Sequence, residues 1–228
     1  MQQFTLDVAV DTGPSLDSFL PVGNEAVHQH VKLWLAANQR SPVPIYLWGA
    51  SGTGKTHLLS AVQRDLQERG EPFGYMDSYM TEPPSFNAGW RVVLMDDVHR
   101  FTAVQQHVAF NWFVNSQTTR CSVFATGDAP PIGLLLRDDL RSRLGWGDIF
   151  ALQALSDDAQ QQVLRASAAA RGLALGDDVL TYMSTRFSRD LGNLMQWLDK
   201  LDQYALQTKR AITLPLLKQM LDNIDQLI

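Results

Sequence analysis

The chain has 228 residues, of which 45% are hydrophobic, and a formal net charge of −5 with an isoelectric point of about 5.4. This hydrophobic fraction is typical of a packed globular protein and excludes an intrinsically disordered chain. The acidic balance and the absence of a lysine and arginine cluster argue against a dedicated DNA-binding module. A single cysteine, no signal-peptide pattern and no membrane-length apolar run together predict a cytoplasmic protein without a membrane partner.

Residues 1–13 precede any core pattern and predict a flexible N-terminal peptide. Within it, a polar residue precedes alternating apolar residues, namely Gln3, Phe4, Leu6 and Val8. Such a pattern suits an extended peptide that docks into a groove of a partner. On pattern alone, a frayed chain end or a stray edge strand is the favoured interpretation.

A helical pattern at residues 24–38 leads to the most informative stretch of the chain. After two prolines, a short apolar strand ends in Gly49-Ala50-Ser51-Gly52-Thr53-Gly54-Lys55-Thr56, and a second helical pattern follows. This run fits the phosphate-binding pattern G-x-x-x-x-G-K-[ST] in its required strand–loop–helix setting. The stretch predicts a nucleotide-binding protein.

The residue types in this loop match the chemistry of polyphosphate binding. The glycines permit a tight turn whose backbone N–H groups face a phosphate, and the following helix adds the positive end of its dipole. Lys55 supplies a mobile charge for the β- and γ-phosphates, and the Thr56 hydroxyl is placed to ligate Mg²⁺.

Residues 90–97 form a second informative stretch, after a short predicted strand at residues 73–76. A nearly continuous apolar run is typical of a strand buried on both faces of a parallel sheet. Its carboxyl end carries two aspartates at the edge where such sheets bind ligands. We expect Asp96 to hold the Mg²⁺ water shell and Asp97 to polarise an attacking water.

The pattern continues with a helix over residues 103–116, for which we predict inward-facing Val104, Val108, Trp112 and Phe113. A buried strand at residues 121–126 is followed by Asp128, which either orients water near the γ-phosphate or serves only as a turn residue. With a fifth strand at residues 149–152, residues 14–155 predict a three-layer α/β domain with a five-stranded parallel sheet.

After residue 155 the strands stop, and residues 156–228 predict a small all-helical domain. Leucines repeat at intervals of three and four along its longest helix. The histidines His57, His99 and His107 show no metal-ligand spacing, so we expect surface positions for them.

An α/β nucleotide domain followed by a helical lid resembles the AAA+ ATPases, and in particular their DnaA branch. The resemblance covers residues 14–228. It depends on the phosphate loop, on Leu94-Met95-Asp96-Asp97-Val98-His99 and on Arg141-Ser142-Arg143-Leu144-Gly145-Trp146-Gly147.

The resemblance implies a role for each matching position. Residues 49–56 with His57, Pro21 and Val22 bind the nucleotide, which is ADP or ATP with Mg²⁺. Asp96 and Asp97 are the acidic pair, Asp128 is the first sensor, and Arg143 is an arginine finger that acts in trans. The alternative for Arg143 is a surface ion pair with Asp138, Asp139 or Asp148, whereas Arg141 is the expected structural arginine.

The sequence departs from the AAA+ pattern at two positions that bear on hydrolysis by the chain itself. Most AAA+ hydrolases carry Glu after the metal-binding Asp, and Asp97 is one methylene shorter. Gly192 occupies the position of the second-sensor arginine, and Arg189, three residues earlier, is the candidate substitute. We therefore expect weak or absent intrinsic hydrolysis, and whether the chain is itself an enzyme stays open.

The resemblance implies a negative regulator of bacterial replication initiation. Such a protein docks its N-terminal peptide on the β-subunit sliding clamp of DNA polymerase III and promotes hydrolysis of DnaA-bound ATP. Contact with DNA would be indirect, and a homo-oligomer is compatible with the family. The alternative is a helicase loader or transposition helper that uses its own ATP cycle. A small-molecule kinase fits less well, because the tail is a leucine-rich bundle rather than an arginine-rich lid.

Overall fold

The computed structural model describes residues 13–187 and 191–225. The chain divides between Leu155 and Ser156 into two compact units, of which the first begins at Pro14. Strands occur in the first unit, whereas the described part of the second is helical.

The first unit is built on a five-stranded parallel sheet with the order β2-β3-β4-β1-β5. The predicted three-layer α/β fold with this sheet is therefore confirmed. The strands span β1 (Ile45–Trp48), β2 (Phe73–Met76), β3 (Val92–Met95), β4 (Ser122–Gly127) and β5 (Asp148–Ala151). The register pairs Trp48 with Gly127 and Met95 with Ala125, so the carboxyl ends of β1, β3 and β4 meet at one edge.

Successive side chains of a strand point to opposite faces of the sheet. Both faces carry apolar residues here, and helices cover both. On one face Val93 and Val123 pack with Trp112 and Phe113, and on the other Val92 and Phe124 pack with residues that include Leu58 and Val62. The helices of this unit are α1 (Glu25–Ala36), α2 (Lys55–Glu68), α3 (Ala103–Thr119) and α4 (Asp138–Leu144).

The prediction that Val104 faces inward is wrong, since 64% of this residue is exposed. The next residue, the polar Gln105, is buried instead, as are Trp112 and Phe113 further along the helix. Its amide donates to the carbonyls of Asp77 and Met80 at 3.0 and 2.8 Å. Helix α3 is therefore rotated so that Gln105 satisfies carbonyls of the loop after β2, which a valine cannot do.

The second unit contains α5 (Asp157–Ala170), α6 (Asp177–Arg186), α7 (Leu191–Thr208) and α8 (Leu214–Asp225). The Ser156 hydroxyl caps α5 by accepting from the backbone N–H of Ala159 at 3.3 Å. Leucines of α7 with the predicted spacing form the core of this unit, together with Leu164, Leu180 and Leu217. Within the described ranges, no helix has both the length and the apolar character needed to span a membrane.

Helix α7 offers a matched pair of leucines for a stability test. Leu198 is fully buried, whereas 70% of Leu206 is exposed. We expect Leu198→Ala to lower the free energy of unfolding by about 2–5 kcal/mol, because it removes packed methyl groups and leaves a cavity. Leu206→Ala should change it by less than about 0.5 kcal/mol. Urea unfolding monitored by circular dichroism measures both, and equal losses would contradict the assigned core.

Candidate functional site

The glycine-containing loop connects the carboxyl end of β1 to the first residue of α2. Gly54 adopts a left-handed φ of 95°, and a Cβ atom there would lie 2.7 Å from the Phe19 ring. A Cβ at Gly49 would lie 2.6 Å from the Leu152 carbonyl oxygen. Both positions therefore exclude a side chain, and the loop keeps the compact shape that a phosphate cradle needs.

Lys55 begins helix α2 and lies over this loop. Only 7% of the residue is exposed, and its Nζ donates to the carbonyl oxygens of Gly49 and Ala50 at 2.8 Å each. A buried ammonium at a helix N-terminus favours the binding of an anion. The loop and Lys55 thus fit a nucleotide polyphosphate.

His57, predicted to bind nucleotide by resemblance and to be a surface residue by pattern, contacts residues 15–19. Its Nε2 lies 3.1 Å from the Ser15 carbonyl and 3.1 Å from the Ser18 hydroxyl, and its ring packs 5.9 Å from that of Phe19. Burial lowers the pKa of this imidazole, with the Ser15 carbonyl opposing the shift. His57 therefore holds residues 15–19 against the start of α2.

The acidic pair Asp96 and Asp97 directly follows β3, beside the carboxyl end of β4. The Thr126 hydroxyl donates to Asp96 Oδ1 at 2.5 Å and accepts from the Asp97 backbone N–H at 2.9 Å. The Thr56 hydroxyl also donates to Asp96 Oδ1, at 3.3 Å. Burial raises the pKa of Asp96, and the hydrogen bond from Thr126 opposes that shift. The phosphate-loop threonine and the Asp96 carboxylate, distant in sequence, are thus in direct contact.

This donor set fits the predicted Mg²⁺. Hydroxyl and carboxylate oxygens are the ligands that Mg²⁺ prefers, and it commonly binds through one carboxylate, water and substrate phosphates. Asp96 is only 6% exposed, so a cation would compensate a charge that burial disfavours. Thr56 and Asp96 are therefore the residues that would hold the ion beside the phosphates.

Asp128 follows β4 and is exposed, at the same edge as Asp97. His99 lies between them, with its Nε2 3.7 Å from Asp128 Oδ2 and its Nδ1 4.0 Å from Asp97 Oδ1. Beneath this edge the Tyr46 hydroxyl donates to the Ala129 carbonyl at 2.8 Å. Burial and the charges of Asp128 and Asp97 raise the pKa of Tyr46.

Pro21 and Val22 precede α1 beside the residues that follow β5. Asn24 joins the two segments. Its Nδ2 donates to the Gln153 carbonyl at 3.0 Å, and its Oδ1 accepts from the Gln153 N–H at 2.8 Å. Asn24 is almost fully buried, whereas 49% of Val22 is exposed. Leu152, the residue before Gln153, lies against Gly49, so the segment that contains Pro21 and Val22 is joined through Asn24 to residues that contact the phosphate loop.

The arginines around α4 differ in their partners. Arg137 binds Asp139 at 2.6 Å, and Arg141 binds Asp138 at 2.7 Å. Asp148, the third predicted partner, lies 3.4 Å from His30. The Arg143 side chain is partly exposed and forms no ion pair or hydrogen bond with the residues that the structure describes. The alternative interpretation of Arg143 as a surface ion pair therefore finds no support.

Some predicted positions lie outside the described residues. These are the peptide positions Gln3, Phe4, Leu6 and Val8 and the candidate second sensor Arg189. Gly192 is described and lies, exposed, in the first turn of α7. The site residues described above belong to the first unit.

The sequence did not indicate that Thr126 and Asn24 take part in the site. It predicted a surface position for His99, which lies between Asp97 and Asp128. Thr126 is the penultimate residue of the buried strand β4, and a hydroxyl near the carboxyl end of an apolar run was the available signal. Asn24 was included only as the start of a helix. Its long-range pairing with Gln153 has no signature in the local sequence.

Comparison with known proteins agrees with this geometry. Residues 157–221 match the family model of the Hda lid domain. Domain III of the Thermotoga maritima replication initiation protein DnaA superposes with a TM-score of 0.75 at 20% identity, over 96% of this chain and 98% of that one. AMPPCP-bound DnaA from Aquifex aeolicus gives a TM-score of 0.64 at 20% identity, over 86% and 73%.

A further match extends beyond the initiators. The Thermotoga maritima RuvB Holliday junction branch migration motor superposes with a TM-score of 0.64 at 18% identity, over 92% of this chain and 72% of that one. The α/β and helical units together have the fold that these DnaA and RuvB structures share. The match of residues 157–221 to the Hda lid domain model confirms the predicted resemblance to the DnaA branch.

We expect Thr126→Val to lower the free energy of unfolding by about 1–3 kcal/mol. The substitution keeps the side-chain shape but leaves the Asp97 N–H without its acceptor and Asp96 without its closest donor. Thr126→Ser retains the hydroxyl and is the matched control. Urea unfolding of the three proteins at pH 7 measures the effect, and valine equal to serine would contradict the bridging role.

The lowered pKa of His57 gives a pH-dependence prediction. Between its folded pKa and the ordinary value of 6.5, only the unfolded chain binds the proton, so the free energy of unfolding falls as the pH falls through that window. His57→Gln should remove this component, visible as a flatter stability curve between about pH 7.5 and 5. His107→Gln, at an exposed position of α3, is the control. Identical curves for His57→Gln and the unaltered protein would contradict the assignment.

Proposed function

We propose that the chain is a DnaA-related regulator of replication initiation. It binds ATP or ADP with Mg²⁺ in its own phosphate loop and presents Arg143 to ATP held by an initiator DnaA molecule. The observation that carries the proposal is the Arg143 guanidinium, which has no partner among the described residues while Arg137 and Arg141 are both paired.

The surroundings of Arg143 support a protein partner. Three large apolar residues of the same segment are strongly exposed: Ile132 at 90%, Leu135 at 97% and Trp146 at 62%. A Cβ at Gly145 would lie 3.6 Å from the Cβ of Pro131, so the turn at Pro131–Gly133 lies beside the end of α4. Exposed apolar residues near an unpaired arginine are typical of a protein–protein interface.

The chemistry follows from the guanidinium group. It is planar, permanently charged and able to donate two parallel hydrogen bonds to phosphate oxygens. Negative charge spreads over those oxygens as the γ-phosphoryl group leaves, and a positive group brought against them from a neighbouring molecule lowers the barrier. Arg143 would in this way promote hydrolysis of a nucleotide that its own chain does not hold.

The sliding clamp is proposed as the second partner. Its support is the sequence of the N-terminal peptide, in which Gln3 precedes Phe4, Leu6 and Val8 and which resembles the peptides that dock into the clamp. A tether to a DNA-loaded clamp raises the local concentration of the weakly associating initiator without any new contact. Contact with DNA would then be indirect.

A second candidate function is a loader-type ATPase that uses its own ATP cycle. The contact between Thr56 and Asp96, with Asp97 and Asp128 at the same edge, favours it, because these residues would hold Mg²⁺ and an attacking water beside the chain's own nucleotide. This candidate requires strong intrinsic or single-strand-stimulated turnover and indifference to loss of residues 1–8. The regulator requires weak intrinsic turnover and sensitivity to that deletion.

We expect Arg143→Ala to abolish the stimulation of DnaA-bound ATP hydrolysis, with a loss of about 10³–10⁵-fold in the stimulated rate. Nucleotide affinity should be unchanged, because Arg143 lies on α4 and not in the phosphate loop. Release of phosphate from initiator-bound ATP, with clamp-loaded DNA present, measures the rate.

Arg141→Ala is the matched control, since it removes a neighbouring arginine that is already paired with Asp138. It should retain most of the stimulation. Full stimulation by Arg143→Ala would reject the finger, and equal losses from both variants would show a general effect of positive charge instead.

A further inference from the structure

The segment between β4 and α4 holds two large apolar side chains in solvent. Ile132 is 90% exposed and Leu135 is 97% exposed, the two highest values for a large hydrophobic residue in the described part of the chain. Leu134 and Leu136 of the same segment are buried and belong to the core beside α3. The segment is therefore packed against the α/β unit through two leucines, while its other two large apolar side chains find no place in that core.

The backbone of this segment is held at both ends. Before it, the Tyr46 hydroxyl donates to the Ala129 carbonyl at 2.8 Å, and after it, the Arg137 N–H donates to Gln106 Oε1 at 3.0 Å. Between these bonds, the 3₁₀ turn at residues 131–133 closes with two backbone hydrogen bonds of 2.8 and 3.2 Å. An apolar side chain on a backbone that is already ordered loses less conformational freedom when it binds a partner.

The position of the segment in the fold indicates which partner approaches it. A Cβ at Gly145 would lie 3.6 Å from the Cβ of Pro131, so the segment contacts the end of α4. Arg143 lies two residues before Gly145, in the last turn of that helix. In the proposed function, Arg143 meets a triphosphate held by initiator DnaA. The initiator is therefore the partner whose surface comes against the segment when the two proteins associate.

We propose that residues 130–136 form a docking segment that inserts Ile132 and Leu135 into an apolar pocket of initiator DnaA. The docking segment supplies affinity, whereas Arg143 supplies rate. This inference rests on the proposed function, because it takes the initiator as the partner, and it adds a separate role for two residues that never touch the nucleotide.

The division of roles follows from when each interaction forms. An apolar side chain in a pocket is buried equally before and during phosphoryl transfer, so it strengthens the complex without lowering the barrier within it. The Arg143 guanidinium interacts most strongly with the charge that develops on the phosphoryl oxygens in the transition state. A few apolar anchors that fill pockets commonly carry most of the binding energy of an interface.

The test measures affinity and rate separately in the full-length protein. We expect Ile132→Ala and Leu135→Ala each to raise the Kd for AMPPCP-bound DnaA by about 10–100-fold, because each removes most of a buried aliphatic side chain. Fluorescence anisotropy of labelled initiator measures this Kd. The rate of phosphate release from ATP-bound initiator at saturating variant should stay within about 2-fold. Leu135→Met keeps the apolar volume and should hold the Kd within about 3-fold of the unaltered protein.

Leu33→Ala is the control for loss of an exposed leucine, since Leu33 lies on α1 and is 63% exposed. It should leave both the Kd and the rate unchanged. Because Ile132 and Leu135 are exposed, their alanine variants should unfold at the same urea concentration as the unaltered protein.

The inference is overturned by an unchanged Kd in both alanine variants, by an equal loss in Leu135→Met, or by a lower saturated rate at unchanged Kd. It is also overturned if sedimentation shows that these variants lose self-association while they keep their affinity for the initiator, because a second copy of the chain would then occupy the segment. Arg143→Ala should show the opposite pattern, a lost rate with a Kd within about 3-fold. Full stimulation by that variant would reject the proposed finger and leave the result for the docking segment standing.

Discussion

The hydroxyl of Thr126 is the contact on which the arrangement of the site depends. It donates to Asp96 and accepts from the backbone of Asp97, so it fixes both members of the acidic pair from the adjacent strand. The hydrogen bond from the Asp97 N–H holds the left-handed backbone at Asp97. The 3₁₀ turn that follows places His99 next to Asp128. The parallel register of β3 and β4 brings the hydroxyl to that position.

Sequence reasoning succeeds where the signal is contiguous. The glycine-containing loop, the apolar central strands and the leucine spacing of α7 each lie within one segment, so the fold class and the strand–loop–helix geometry followed from local chemistry. The same reasoning fails where a residue is defined by a distant partner. Val104 was misplaced because Gln105 satisfies carbonyls of a loop more than twenty residues earlier, and Asn24 was overlooked because its partner is Gln153.

The acidic charges near α4 explain why one arginine there differs from its neighbours. Asp138 and Asp139 bind Arg141 and Arg137, so the short helix neutralises its own acidic first turn. Arg143 lies in the last turn, where a positive charge complements the helix dipole, and the described residues give its side chain no partner. Arg137 and Arg141 are paired within this segment, whereas Arg143 is not, which is what the proposed contact with a second molecule requires.

The most direct test of the proposed role of Arg143 is a structure of the chain in complex with initiator DnaA. In this complex the initiator would hold ADP and a trigonal or tetrahedral phosphate analogue. We predict that Arg143 donates to the analogue on the initiator at about 3 Å, with the exposed Ile132, Leu135 and Trp146 buried at the contact. An interface that leaves Arg143 in solvent, or that buries a different face of the α/β unit, would contradict the account.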